Sequence, residues 1–450
     1  MSTFWIVLLS VVAGTVLSAG IACLPGLHIY NVMGALVLGI LWLDALPEPC
    51  FWSFLTRPEV YVPAMTGMVV AWSMLNTIPS VLLGTPDESA LFTVLPGQKY
   101  LMNGRDYEGT MITAVGSLAG AFFVVCVLAP FAPKYLPVSQ EVLKGHMHWV
   151  LWIIITFILM SEWPKGGNRG RAGWAKFFDA WKGLLVGIAT FVLSGVMGFI
   201  LLNRSPVGHE VAFQNIMPAF VGLFAVPWCL QNIISAADVP PQRTTDSLDI
   251  DGDIILRSVW SGGLGGGFAA YMPIVTGGVG GLLAGHACAQ RDERIFIMGQ
   301  GVSKFVYYVG AFMLLFVPGL NLTRGGGAWM VKTLYTPSST ADYLMIVGSI
   351  AVSGAVSFLM VSPLARLTLK LIDRFDYRHV SSFALAVIVA MVFAITGWIG
   401  LFIAAVATGI GLLPVLFGSR RLNCLGILLL PIACNMSGFG DAIVGWMGLN

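Results

Sequence analysis

Five consecutive residues, Thr85-Pro86-Asp87-Glu88-Ser89, place two carboxylates and two hydroxyls where an apolar run has been broken by Pro79, Gly84 and Pro86. Carboxylates can hold a cation or carry a proton, and hydroxyls can ligate the oxygens of an anion. Inside an apolar segment such groups mark a pathway or a binding site. Asp87 and Glu88 are therefore candidates for ion coupling, and Thr85, Pro86 and Ser89 for substrate binding. The plainer role for Asp87 or Ser89 is to cap the helix that follows.

Two further breaks carry similar chemistry. In Cys23-Leu-Pro-Gly-Leu-His-Ile-Tyr-Asn31, Pro25 removes a backbone donor and Gly26 allows a turn, with His28 and Asn31 just beyond. Helix N-termini at such a break favour an anion. In Pro273-Ile-Val-Thr-Gly-Gly-Val-Gly-Gly281, Thr276, Gly277 and Gly278 offer a hydroxyl and closely approachable N–H groups. Tight interhelical turns and glycine packing are the plain alternatives at the two breaks. Lys304 lies inside the apolar run 295–317, near Gln300 and Ser303. A lysine there attracts an anion, stands in for a bound cation, pairs with a carboxylate or snorkels to an interface.

Other chemistries find no footing. The chain contains no GxxxxGK[ST] loop for ATP, no HExxH and no Ser-His-Asp pattern, so no enzyme activity is expected. The seven cysteines are dispersed without a CxxC pair and read as small core residues, with no metal site or cofactor. Asp249-Ile-Asp-Gly-Asp253 lacks the spacing and terminal Glu of a calcium loop. A net charge of +2 gives no reason to expect a nucleic-acid partner.

The elements that must position these residues are membrane helices. The 450-residue chain is 57% hydrophobic and 10% charged, with a mean hydropathy of +0.84. About ten to twelve apolar runs are long enough to cross a bilayer. The expected fold is an all-α polytopic membrane protein of two inverted repeats with broken or re-entrant helical hairpins. Residues 1–162 form the first repeat, with breaks around Pro25 and Pro86. Residues 163–182 form a basic cytoplasmic loop, 183–252 connecting helices and an acidic loop, and 253–450 the second repeat, broken around Pro273. Residues 318–341 read as a long glycine-rich loop. The basic stretches 163–182, 366–378 and 419–421 share one side under the positive-inside rule. That parity requires the run 254–288 to enter and leave on the same side, as a hairpin of two half-helices. Leu17-Ser-Ala-Gly-Ile-Ala-Cys-Leu-Pro25 and Leu264-Gly-Gly-Gly-Phe-Ala-Ala-Tyr-Met-Pro273 form a weak internal repeat. Inverted repeats with broken helices suit alternating access about a midplane site.

At Ile78-Pro-Ser-Val-Leu-Leu-Gly-Thr-Pro-Asp-Glu-Ser-Ala90, followed by Leu95-Pro-Gly97, Gly104-Arg105 and Glu108, the chain resembles the large permease subunit of tripartite tricarboxylate transporters, the TctA family. Pro25-Gly-Leu-His28 with Asn31, the stretch Gly411 to Arg421 and Leu428-Leu-Leu-Pro431 resemble its single-component, archaeal-type branch. The resemblance implies a secondary transporter, or symport permease, that takes up a di- or tricarboxylate on an ion gradient. The coupling ion would be Na+ or H+. It also implies the cytoplasmic (inner) membrane of a prokaryote, and as partners a small membrane subunit and an extracytoplasmic binding protein. A homo-oligomer is compatible with the sequence. Two other functions fit broken hairpins: a lipid-phosphate translocase of the polyprenyl phosphate type, and a non-transporting membrane assembly subunit.

Overall fold

Lipid offers no hydrogen bonds to a backbone, so a spanning chain must satisfy its own N–H and C=O groups. In the computed structural model, every regular element among the described residues is helical. The structure describes residues 2–24, 28–46, 51–82, 94–164, 173–204, 206–207, 215–235, 240–273, 275–288, 292–372, 374 and 377–449. Eight helices there are long and apolar enough to cross a membrane, or nine if a bent pair near the C-terminus counts as one span. The expected ten to twelve runs exceed this for two reasons. The helix Tyr377–Phe417 contains two runs, and three others fall short of a span: two form helices of sixteen and fourteen residues, Ile29–Asp44 and Met147–Met160, and the run 254–288 divides into two helices that are not among the eight.

The helices in chain order are α1 (Thr3–Ala22), α2 (Ile29–Asp44), α3 (Pro58–Leu75), α4 (Thr77–Leu82), α5 (Val94–Met102), α6 (Asp106–Phe122) and α7 (Ala129–Lys144). Then come α8 (Met147–Met160), α9 (Gly173–Asn203), α10 (Met217–Phe220), α11 (Val226–Ile234), α12 (Gly252–Tyr271), α13 (Gly277–Ala287) and α14 (Glu293–Met313). The last are α15 (Gly325–Leu334), α16 (Thr340–Ile372), α17 (Tyr377–Phe417), α18 (Gly426–Met436) and α19 (Gly440–Trp446). They form two units, Met1–Gln140 with Ala237–Val380, and Glu141–Ala236 with Ser381–Asn450.

In the first unit a pattern occurs twice: long helix, break, short helix, long helix. α1 packs on α3 in parallel, with Gly14 against the Ala64 carbonyl and Gly67 against the Val11 carbonyl. The Ser18 hydroxyl adds a bond to the Met68 carbonyl at 2.9 Å. α12 packs on α14 in the same way, Gly262 against the Gly299 carbonyl and Gly266 against the Ser303 carbonyl. Glycine lets backbones approach where lipid supplies no hydrophobic drive for association. α13 runs back along α14, with Gly277 beside Lys304 and Gly281 beside Gln300. The segment 254–288 is thus a hairpin of two helices, as the charge parity requires. α3 and α14 themselves cross antiparallel: Val69 and Phe312 both meet Gly327, and Asn76 meets Lys304. Equivalent helices running in opposite senses are what an inverted repeat demands. α3 is buried along its length and α14 almost so, whereas α16 shows much of its surface, as a lipid-facing helix does.

The acidic loop before α12 is a strap. Arg243 N–H donates to the Gly104 carbonyl at 2.9 Å, and Gln242 Nε2 to the Leu101 carbonyl at 2.9 Å. Arg366 pairs with Asp246 at 3.2 Å and Arg294 with Asp249 at 2.8 Å. Asp251 caps α12 through Ile254 N–H, and Asp253 pairs with Arg257. The acids of the calcium-like run are thus spent on structure.

In the second unit, Gly198 and Gly426 let α9 and α18 touch through the Ile427 and Phe191 carbonyls. Glu162 Oε1 accepts from Arg420 N–H, Ser419 Oγ and Asn423 Nδ2, tying the basic turn to the end of α8. Gly397, at φ +64, interrupts α17 between its two apolar runs. Helix α18 meets α19 at a 115° bend. Two expectations need correction. Residues 173–182 are not loop but the start of α9, because Trp174, Phe177, Phe178 and Trp181 recur at helical spacing and suit an interface. The stretch 318–341 is not all loop either, since Gly325–Leu334 is helical despite its three glycines.

A methyl group at Gly67 would collide with the Val11 backbone. We expect Gly67→Ala to cost about 1–3 kcal/mol as overpacking, read as a lower thermal midpoint in detergent. Gly267→Ala, with open space around it, should leave the midpoint unchanged or slightly higher. Arg294 beside Asp292 holds that carboxyl below its ordinary value. A depressed native value means the contact contributes above the ordinary carboxylate range and is lost as pH falls through the native value. The thermal midpoint in detergent should therefore fall in acid, and Arg294→Gln, which also removes the partner of Asp249, should quicken proteolytic cleavage within 243–250 at neutral pH.

Candidate functional site

Pro79 has no N–H to offer the Leu75 carbonyl, and the helix that begins at Pro58 is interrupted at Asn76. The side-chain amide of Asn76 lies in the interior. Asn76 Oδ1 accepts from Lys304 Nζ at 2.7 Å, and Ser80 Oγ donates to the Asn76 carbonyl at 2.6 Å. Lys304 is 2% exposed and Asn76 4%. A buried ammonium costs several kcal/mol unless it is hydrogen-bonded, so this contact is held under strong constraint.

Helix α13 abuts the same place. Its N-cap is Thr276, and its first residue, Gly277, lies against the Lys304 backbone and the Tyr307 side chain. Ser303 Oγ donates to the Gly277 carbonyl at 2.7 Å. The leading N–H groups of a helix have no acceptor within it and carry its positive end. They sit here beside a lysine.

On the α2 side, His28 is the N-cap: its Nδ1 accepts from Tyr30 N–H at 3.2 Å. With Nδ1 accepting, Nε2 carries the proton and donates to Tyr308 Oη at 3.2 Å. Tyr308 lies one turn beyond Lys304 on α14. The His28 ring also packs 5.2 Å from Trp72, one turn before Asn76 on α3. Asn31 is buried on α2.

Four buried polar atoms around the Asn76–Lys304 contact have no hydrogen-bond partner: Trp72 Nε1, Thr77 Oγ1, Thr276 Oγ1 and Gln300 Oε1. Each belongs to a residue within one helical turn of Asn76 or Lys304, or to the N-cap beside them. Buried polar groups are nearly always paired, so a cluster of exceptions calls for a ligand or water. Among the described residues no group of His, Cys, Asp and Glu could hold a metal ion.

The structure thus gathers His28, Thr276, Gly277 and Lys304 of the expected site, with Gly278 in the first turn of α13. Pro25, Gly26, Thr85, Pro86, Asp87, Glu88 and Ser89 lie outside the described residues. Sequence reasoning left Trp72, Asn76 and Tyr308 out of the site. Asn76 had a signal, an amide in an apolar run three residues before a proline. Tyr308 had a weaker one, the four-residue spacing from Lys304.

Asn76→Leu should strip Lys304 of an acceptor and destabilise the protein by about 1.5–3 kcal/mol, as for bonds to charged groups. In a double-mutant cycle with Lys304→Met, the second change should cost less than it does alone. Thermal unfolding in detergent checks both.

Comparison with known proteins covers nearly the whole chain. A family model described as "Tripartite tricarboxylate transporter TctA family" matches residues 8–426. The chain is also similar to an uncharacterised protein of Methanocaldococcus jannaschii, 23% identical over 435 residues, which are 94% of this chain and 96% of that one. No solved structure matches it.

Proposed function

This chain belongs to the tripartite tricarboxylate transporter TctA family, and on that footing we propose that it is an ion-coupled carrier of a small organic anion, a di- or tricarboxylate. The observation that carries the reading is the cluster of unpartnered polar atoms around Lys304, beside the N-terminus of α13. Lys304 supplies charge, Trp72 Nε1, Thr276 Oγ1 and the first N–H groups of α13 supply donors, and carboxylate oxygens accept from all of them. Gln300 Oε1 is an acceptor, which a hydroxyl on the substrate would satisfy; citrate has one. His28 and Tyr308 close the α2 side.

The antiparallel repeats suit alternating access, in which rocking one against the other would expose the central site to each side in turn. The substrate and the coupling ion bias that equilibrium only by binding one orientation better. Asp87 and Glu88 remain candidates for coupling, with Thr85, Pro86, Ser89, Pro25, Gly26 and Asn31 for the substrate. The membrane is the cytoplasmic membrane of a prokaryote, and the chain acts as a permease, not an enzyme. A small membrane subunit and an extracytoplasmic binding protein are the partners the family suggests.

Uptake of radiolabelled citrate into proteoliposomes tests the reading. Accumulation should require an imposed proton or sodium gradient and vanish when ionophores collapse it. Lys304→Met should lower uptake about 10- to 100-fold, the equivalent of losing one charge-assisted hydrogen bond to the substrate. Accumulation that ignores the gradient would reject coupling, and citrate left unmoved by the wild-type protein would reject the substrate class.

A further inference from the structure

Asp106 opens α6 and is wholly buried, and neither oxygen of its carboxyl has a hydrogen-bond partner. Its N–H donates to Gln242 Oε1 at 3.1 Å, and Gln242 Nε2 donates to the Leu101 and Pro240 carbonyls. Residues 240–243 therefore close over the start of α6.

Among the described residues, the charged groups on the elements packed around α6 are paired elsewhere or exposed. Lys99 on α5 pairs with Glu293 on α14, and Arg105 with Glu108 through two bonds of 2.7 Å. Arg294 takes Asp292 and Asp249, Arg366 on α16 takes Asp246 and Tyr107, and Arg257 on α12 takes Asp253. Lys304, deeper on α14, holds Asn76. The Arg243 and Lys370 side chains are exposed. Helix α4 carries no ionisable residue, and Glu59 and Tyr61 stand at the far end of α3. Tyr100 packs into an apolar cluster with Ile112, Ile254 and Ile295.

A carboxylate stripped of water, counter-charge and donors is very costly; a neutral carboxylic acid costs far less. One turn on, Thr110 is also wholly buried with its hydroxyl unpartnered, unlike Thr113, whose Oγ1 bonds back to the Gly109 carbonyl. Among the described residues the unpartnered side-chain oxygens here number three, few for a sodium ion, whereas a proton needs one.

We propose that Asp106 is the proton-carrying carboxylate of the transport cycle, protonated while residues 240–243 cover the start of α6 and ionised when that end opens to water. Opening would favour the anion because water then solvates it, while the positive end of α6 at its first turn is present throughout. The proposal rests on the transport reading for its role in the cycle, and on the burial and missing partners of Asp106 for the proton itself.

The test has two arms. In the first, the purified protein in lipid is titrated by infrared spectroscopy without substrate. We expect a protonated-carboxyl absorption at neutral pH that is absent in Asp106→Asn and displaced in Asp106→Glu. No absorption that responds to either variant would overturn the proposal. In the second arm, wild-type proteoliposomes accumulate labelled citrate on a proton gradient, while Asp106→Asn loses accumulation at least tenfold and still exchanges citrate across the membrane. Undiminished accumulation in Asp106→Asn, or accumulation driven by sodium alone, would also overturn it. Wild-type protein that moves no citrate but shows the Asp106 absorption would refute the substrate class and leave the proton site supported.

Discussion

A lysine ammonium in the middle of a lipid-embedded bundle must find an acceptor, and the first unit is arranged so that it does. One acceptor is Asn76 Oδ1, 2.7 Å away, in reach because α3 crosses α14 at that level. The amide alone would face apolar side chains, and the ammonium alone would lack this partner. Together they lie beside a second helix start, α13, and the polar cluster gathers at that meeting.

The close crossings depend on glycine. α1 on α3, α12 on α14 and α6 on α14 all meet at points where a Cβ would strike a carbonyl, as at Gly14, Gly262 and Gly116. Lipid does not drive these contacts as water drives a soluble core; van der Waals contact between backbones and a few hydroxyl bonds do. The Ser18 bond to the Met68 carbonyl and the Ser117 bond to the Gly301 carbonyl are of that kind. α3 and α14 are central and bury large side chains such as Trp72, Phe305 and Tyr308 around those glycine contacts, while α16 and α17 turn Leu359, Phe383 and Phe402 outward.

At the end of the unit that carries Arg105, Arg294 and Arg366, the architecture changes from packing to ion pairing. The strap formed by the acidic loop joins the α5–α6 turn to α14 and α16, which come from different halves of the chain. Exposed pairs of this kind contribute little stability each. Their effect is positional: they hold residues 240–243 over the first turn of α6.

Much of the architecture was legible in the chain itself. Composition and the length of the apolar runs made it a polytopic helical membrane protein. Pro273 with its glycines, and the parity of the basic loops, predicted the α12–α13 hairpin. Thr276, Gly277, His28 and Lys304 stood out as polar or permissive residues in apolar surroundings. Local chemistry suffices for such features, because a helix break or a buried charge announces itself within a few residues. What the chain alone left open is which of these residues meet. Asn76 reaches Lys304 across 228 positions and His28 reaches Tyr308 across 280, and no local pattern encodes such pairings. Asp106 was unremarkable beside Arg105 and Glu108. Its isolation exists only because those neighbours bond to each other and the strap closes over it, and solvent access and counter-charge are properties of the packed fold.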